Sequence, residues 1–224
     1  MIIAIDGPSG AGKSTLGRLI ARELKLLYID TGAMYRAAAL AVIESGVSTR
    51  DERAVAEVVE RADINLAGDP ASLQVMLNGR DVSHEIRTEE VSHSASVIST
   101  IPEVRRSLVN RQRELGRRGG GVVLDGRDIG TVVFPQADLK FFLTAAPEER
   151  AHRRYDEDRL KERDGSFEET LAEINTRDRR DSTRDDSPLA IADDAIVIDS
   201  TEFSINEVFE QMMKAIREKE EKNF

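Results

Sequence analysis

Residues 7–14 read Gly-Pro-Ser-Gly-Ala-Gly-Lys-Ser, which fits the pattern G-x-x-x-x-G-K-[ST]. The apolar run Ile2-Ile3-Ala4-Ile5 precedes it, ending in Asp6, and helical spacing from Ser14 to Lys25 follows it. Strand, loop and helix form the setting in which this pattern cradles phosphate. The glycines let successive backbone N–H groups turn inward, and the helix N-terminus adds the positive end of its dipole. Gly7, Pro8, Ser9, Gly10, Ala11, Gly12, Lys13, Ser14 and Thr15 are therefore the expected contacts to a nucleotide's phosphates, with Lys13 reaching the β- and γ-oxygens and Ser14 ligating Mg²⁺. ATP with Mg²⁺ is the expected donor. A glycine-rich turn that merely starts a helix is the competing reading. Asp6 reads as structural, fixing the loop's backbone by accepting N–H bonds.

The rest of the chain alternates strand and helix signals, which points to a parallel sheet. Leu26 to Ile29 reads as a strand and Ala33 to Glu44 as a helix ended by Gly46. Thr49 and Glu52 fit a capping box for a helix to about Ala62. Ile64 to Leu66 and Leu73 to Leu77 then alternate apolar and polar residues, and Asn78-Gly79 signals a type I′ turn. Helices are expected from Thr88 to about Ser99 and from Pro102 to Arg118, ended by Gly119-Gly120-Gly121. Val122 to Asp125 and Leu139 to Leu143 read as strands leading into polar, charged loops. Helices from Pro147 to Glu162 and from Phe167 to Arg180 flank an Asp164-Gly165 turn, the second with a Ser166–Glu169 capping box. Ala195 to Ile198 is a last strand, and Ser204 with Glu207 caps a last helix. The expected architecture is α/β, a three-layer fold with a parallel central sheet flanked by helices. Its core is residues 1–62 and 98–224, with a short helical lid at about 153–184 and a small antiparallel insertion at 63–97.

The formal charge of −10 argues against broad electrostatic binding to DNA, RNA or an anionic membrane, so anionic ligands need a local basic site. Of the 32 basic residues, 25 are Arg, which suits planar contacts to phosphate, although most of them read as surface. There is no cysteine and no apolar run long enough to span a membrane. A cytoplasmic monomer is expected.

A phosphate loop alone does not name the acceptor. No N-K-x-D segment occurs to read guanine, and one domain of this size leaves little room for a mechanical ATPase. Asp125 stands at a strand end like the carboxylate that holds a Mg²⁺ shell, or like one that caps the next turn. Further clusters are Asp30-Thr31-Gly32-Ala33-Met34-Tyr35-Arg36, Glu85-Ile86-Arg87-Thr88, Asp125-Gly126-Arg127-Asp128 and Arg177 to Arg184.

These clusters, the run Leu124 to Pro135 and Glu149-Arg150-Ala151-His152-Arg153-Arg154 resemble bacterial cytidylate kinases over nearly the whole chain. The resemblance implies phosphorylation of CMP and dCMP by ATP. It assigns Lys13, Arg36, Arg127, Arg177 and Arg184 to the phosphates, Asp30, Thr31 and Tyr35 to the acceptor's surroundings, and Asp181 to the ribose. It gives the cytosine to Arg105 and Asp128, assisted by Ser96. Cytosine pairs an N4 donor with N3 and O2 acceptors, a pattern that a carboxylate beside a guanidinium complements. Read without the family, those three are a loop Asp, a solvated helix Arg and a helix Ser. Arg153 and Arg154 are expected to approach ATP when the lid closes. His84, His93 and His152 are not expected to act. Another small kinase, for UMP or a non-nucleotide acceptor, and an ATP-binding switch without transfer remain as alternatives.

Overall fold

The computed structural model describes residues 1–160 and 165–222. β1 (Ile2–Asp6) leads through the glycine-rich loop into α1 (Lys13–Glu23), then β2 (Leu27–Asp30) and α2 (Thr31–Ser45). Asp30 caps α2, its carboxylate accepting from the Ala33 N–H at 2.7 Å, and Gly46 ends it with φ +70°. α3 (Glu52–Arg61) starts one way and not the other. The expected Thr49 cap is unused, and the Asp51 carboxylate accepts from Ala54 N–H at 3.1 Å. Asp51 directly precedes the helix, and a charged acceptor there also complements the helix dipole.

β3 (Ile64–Ala67), β4 (Gln74–Leu77) and β5 (Arg80–Asp81) form a separate antiparallel sheet, turned at Asn78-Gly79 with φ of 50° and 80°. A 3₁₀ turn leads to α4 (Glu89–Ile98), capped by Thr88, and then to α5 (Pro102–Gly116). α4 packs on α2, which also meets β3 and β4, so the small sheet and α4 are joined broadly to the rest of the chain.

β6 (Val122–Gly126), β7 (Leu139–Thr144), α6 (Pro147–Leu160), α7 (Phe167–Thr183), β8 (Ile196–Asp199) and α8 (Ile205–Lys222) complete the chain. Both expected capping boxes form, at Ser166–Glu169 and at Ser204–Glu207. The expected helix end at Glu162 and the Asp164 position of the next turn lie outside the described residues.

The main sheet is parallel in the order β2-β6-β1-β7-β8, buried between one apolar layer under α2 and α5 and another under α1 and α8. Ile3, Ala4 and Ile5 of the central strand have 0% exposure, as an apolar run covered on both faces requires. The strand order reverses at β1, and a crevice opens there beyond the carboxyl ends of the strands. Register sets Asp30 directly beside Asp125, so both carboxylates stand at that end.

The chain after Asp128 is not the polar loop that its charges suggest. Ile129–Val133 forms a π-helical turn, with Phe134 N–H donating to the Ile129 carbonyl at 2.7 Å and with Ile129 and Val133 buried. Asp6 is also corrected. Its carboxylate accepts from the N–H groups of Ile129 (2.8 Å) and Gly130 (2.7 Å), so it pins this π turn rather than the phosphate loop. The first N–H groups of any helical turn lack partners within it, and Asp6 supplies them.

Gly7 shows how tightly the loop is seated. Its φ is +144°, and a Cβ there would lie 1.9 Å from the Leu143 carbonyl oxygen. Gly7→Ala is expected to destabilise the protein by about 3 kcal/mol or more, read as a lowered urea midpoint. An unchanged midpoint would contradict this packing.

Candidate active site

One cleft of about 760 Å³ follows the crevice. Ser9 to Thr15 line one end, with Asp30, Thr31, Tyr35, Arg36, Ser96, Arg105, Asp125, Arg127, Asp128, Arg153, Arg154, Arg177, Asp181 and Arg184 along the rest. Of the expected site residues only Gly7 and Pro8 stand behind the lining.

At the donor end, Gly12 precedes α1 with φ +90° and gives it no side-chain cap, so the helix's first N–H groups face the cleft. Lys13 is buried and donates from Nζ to the Pro8 carbonyl at 2.6 Å. Burial, with the charges of Arg127 and Arg177 behind it, pushes its ammonium well below the usual lysine range. Ser14 Oγ donates to Asp125 Oδ2 at 2.8 Å, and Tyr28 OH donates to Asp125 Oδ1 at 2.6 Å. Burial, then the neighbouring Asp30 charge, lifts Asp125 to about 6. A hydroxyl and a carboxylate in contact are oxygen donors of the kind Mg²⁺ takes together with phosphate oxygens and water. Among the described residues no group of three or more acidic or histidine side chains forms a cage for a cation. Ser14 and Asp125 are a donor set that fits Mg²⁺.

In the middle of the cleft, cations outnumber their partners. Arg127 Nε donates to Asp181 Oδ2 at 2.7 Å. Burial depresses Arg127, but the Asp181 charge and hydrogen bond outweigh it and raise the guanidinium above its ordinary value. Arg177 is pushed down to about 9, first by burial and then by Arg127, and its Nε is buried without a hydrogen-bond partner. Arg36 lies 3.4 Å from Asp30. Thr31 Oγ1 donates to the Asp125 carbonyl at 2.6 Å, which holds α2's first turn on β6. A bound anion would relieve Lys13 and Arg177 together.

At the far end Arg105 is 2% exposed. Its Nη2 donates to Asp128 Oδ2, its Nη1 donates to the Ser99 carbonyl at 3.2 Å, and it lies 5.8 Å over the Tyr35 ring. Arg184 stands 3.6 Å from the other Asp128 oxygen. Tyr35 OH and Arg105 Nε are buried without hydrogen-bond partners, although Arg105 Nε lies 3.9 Å from Asp186 Oδ1. Ser96 Oγ accepts from Arg180 Nη1 at 2.7 Å, which ties α7 to α4. Asp181 is held by Arg127, while Arg153 donates to Glu149 and to Ser200. Arg154 lies 3.7 Å from Asp158. His152 stacks on Phe167 with centroids 4.2 Å apart, joining α6 to α7.

Several lining residues escaped the sequence reading. Arg18 follows Ser14 by four residues and so shares its helix face, a legible signal. Arg87 was visible inside Glu-Ile-Arg-Thr, and burial, then Arg36, pushes it down. Behind the lining, Tyr28 sits in a strand whose apolar pattern gives no hint of its bond to Asp125. Phe203 and Ile205 beside the loop carry no signal either.

A parallel sheet, a phosphate loop at its switch point and a second cationic site in the same cleft define a P-loop kinase. The chain belongs to the cytidylate kinase family, whose sequence profile matches residues 3–218. It is 48% identical over 219 residues to the cytidylate kinase of Geobacter sp. (strain M21), covering 98% of this chain and 94% of that one. With the cytidylate kinase of Caldanaerobacter subterraneus subsp. tengcongensis it shares 52% identity over 215 residues, 96% of this chain and 94% of the relative. A solved structure of an uncharacterized protein from Eubacterium ventriosum ATCC 27560 matches with TM-score 0.53 at 11% identity, covering 97% of this chain and 98% of that one, and shares the fold.

Removing Asp125's charge separates stability from activity. A carboxyl raised from 3.8 to about 6 binds its proton more tightly when folded, so stability falls as pH rises through that window and the full penalty stands above 6. Asp125→Asn is therefore expected to raise Tm by a few degrees at pH 7.5, a gain that shrinks toward pH 5, while abolishing turnover. Equal gains at both pH values would contradict the buried, ionised carboxylate.

Proposed function

We propose that this chain transfers the γ-phosphoryl group of ATP to CMP and dCMP by direct in-line displacement with Mg²⁺, giving CDP and dCDP. The observation that carries this reading is the buried Arg105–Asp128 pair in the same cleft as the phosphate loop, with Arg36, Arg127, Arg177 and Arg184 lining the space they share. When bound, Mg²⁺ would supply charge neutralisation on the nucleotide's phosphates, held by Ser14 and Asp125. Lys13 and the α1 N–H groups bind the donor's phosphates. Arg36 and Arg127 orient the acceptor phosphate, and Arg177 and Arg184 neutralise charge on the transferring group. A phosphate monoester, with its second pKa near 6, is mostly ionised at neutral pH and needs no general base. The absence of histidine from the cleft lining agrees with that.

Arg105 and Asp128 match cytosine's acceptor edge and amine donor, with Tyr35 forming the wall beside them and Ser96 within the same pocket. Asp181, near the ribose, fixes Arg127 as well. The insertion 63–97 acts as the acceptor-binding segment, and 153–184 closes as a lid that brings Arg153 and Arg154 to ATP. The chain works in the cytoplasm as a monomer. Among the described residues no helix is long and apolar enough to cross a membrane.

An ADP-release assay over CMP, dCMP, UMP, AMP, GMP and dTMP tests the assignment. CMP and dCMP are expected to turn over fastest, and faster turnover of UMP or AMP would overturn the roles of Arg105 and Asp128.

A further inference from the structure

Arg150 is 3% exposed yet lines no part of the cleft, which makes its charge conspicuous. Three acceptors surround its guanidinium. Nε donates to the Ala145 carbonyl beyond β7 at 2.9 Å, and Nη1 donates to the Ser9 carbonyl inside the phosphate loop at 3.0 Å. The same Nη1 lies 2.7 Å from Asp178 Oδ2 on α7. One nitrogen thus joins the donor loop to the helix that carries Arg177 and that ends just before Arg184.

The position of Asp178 on α7 matters as much as the distance. Successive helix residues point about 100° apart, so Arg177 can enter the cleft while Asp178 turns to Arg150. Arg177 is a half-buried cation whose own Nε is buried without a hydrogen-bond partner, and Lys13 and Arg127 both repel it. That repulsion, offset in part by Asp181, favours movement of the Arg177 side chain out toward water. The Arg150–Asp178 pair, 4% and 23% exposed at the side chains, is placed to resist that movement. The other face of Arg150 supports the loop itself, since a Cβ on Gly10 would meet the Arg150 Cβ at 3.1 Å.

We propose that Arg150 and Asp178 are positioning residues for phosphoryl transfer, forming a buried strut that holds Arg177 over the phosphate loop. The proposal rests on the kinase reading above. The strut does not touch substrate. It acts by fixing the distance between two groups that neutralise the same transferring charge, where a displacement of about 1 Å is worth on the order of 100-fold in rate.

A double-mutant cycle with Arg177 tests it. Asp178→Asn keeps the shape and an acceptor oxygen but removes the charge. It is expected to lower kcat about 10- to 100-fold at saturating ATP and CMP, with the Kd for ATP changed less than about 3-fold. In an Arg177→Ala background the same substitution is expected to have little further effect on kcat, because the strut acts through Arg177. Independent, multiplicative losses would overturn the proposal. So would an unchanged kcat in Asp178→Asn with only a lowered Tm, which is what a purely structural ion pair gives. Should Asp178→Asn fail to fold, Asp178→Glu and Arg150→Lys serve in its place, since both keep the charges and alter only the reach. Each is expected to lower kcat, and to lower it no further when Arg177 is already Ala. The unsubstituted protein distinguishes the two levels of failure. If it does not phosphorylate CMP, the substrate reading falls, and the cycle is run with whichever monophosphate it accepts.

Discussion

Lys13→Ala is expected to lower kcat for CMP phosphorylation by more than about 100-fold while leaving the fold intact. The two halves of that result have one cause. Lys13 is buried, and burial together with Arg127 and Arg177 disfavours its charge, which in the protein without a nucleotide offsets what its Pro8 hydrogen bond and the Asp125 and Asp6 charges contribute. The ammonium is useful only when triphosphate oxygens stand beside it. Thermal melts are therefore expected to show a Tm unchanged or slightly higher, against a collapse of turnover. A variant that lost stability but kept kcat would mean that Lys13 is a structural cation.

The second large effect belongs to the far end of the cleft. Arg105→Met fills similar volume but removes the guanidinium that Asp128 pairs with, leaving that carboxylate with Arg184 at 3.6 Å. Breaking a buried pair from one side costs about 3–5 kcal/mol where no other partner remains, and Arg184 should hold the loss below that range. The kcat/KM for CMP is expected to fall about 100- to 1,000-fold, since a site that hydrogen-bonds its substrate through buried groups discriminates at that scale. Affinity for ATP should not change. Asp128→Asn makes the complementary change, because an amide can donate to the O4 of uracil where a carboxylate cannot. The ratio of UMP to CMP turnover is expected to rise. If both variants kept the CMP preference of the parent, the base would be read elsewhere.

The sequence made the sheet, the phosphate loop and the antiparallel insertion legible because each depends on neighbours in the chain. Apolar runs, glycines before Lys13 and Asn78-Gly79 are local signals with local causes. What stayed hidden depends on partners far along the chain. Asp6 reads as a loop anchor until its donors are traced to the N–H groups of Ile129 and Gly130, 123 and 124 residues away. The π turn after Asp128 has no pattern of its own, since charged residues before it mask the burial of Ile129 and Val133. Arg150 stands within a recognisable run, but only the approach of α7 gives it a partner in Asp178. At the start of α3, two usable caps stood two residues apart, and the charged one prevailed. In the cleft Arg36, Arg127, Arg177 and Arg184 stand in legible clusters and Arg105 is marked only by the family resemblance, whereas the pairing of Arg127 with Asp181, and of Ser96 with Arg180, follows from the packing of α7 against distant elements.

The central claim is that two anion sites in one cleft pass a phosphoryl group directly from ATP to CMP. Incubation with ATP labelled in the γ-phosphate, followed by separation of the products, tests it most directly. Label is expected in CDP, one equivalent for each ADP formed, with none released as inorganic phosphate while CMP is present. ADP formed with its label in inorganic phosphate, and no labelled CDP, would contradict the account.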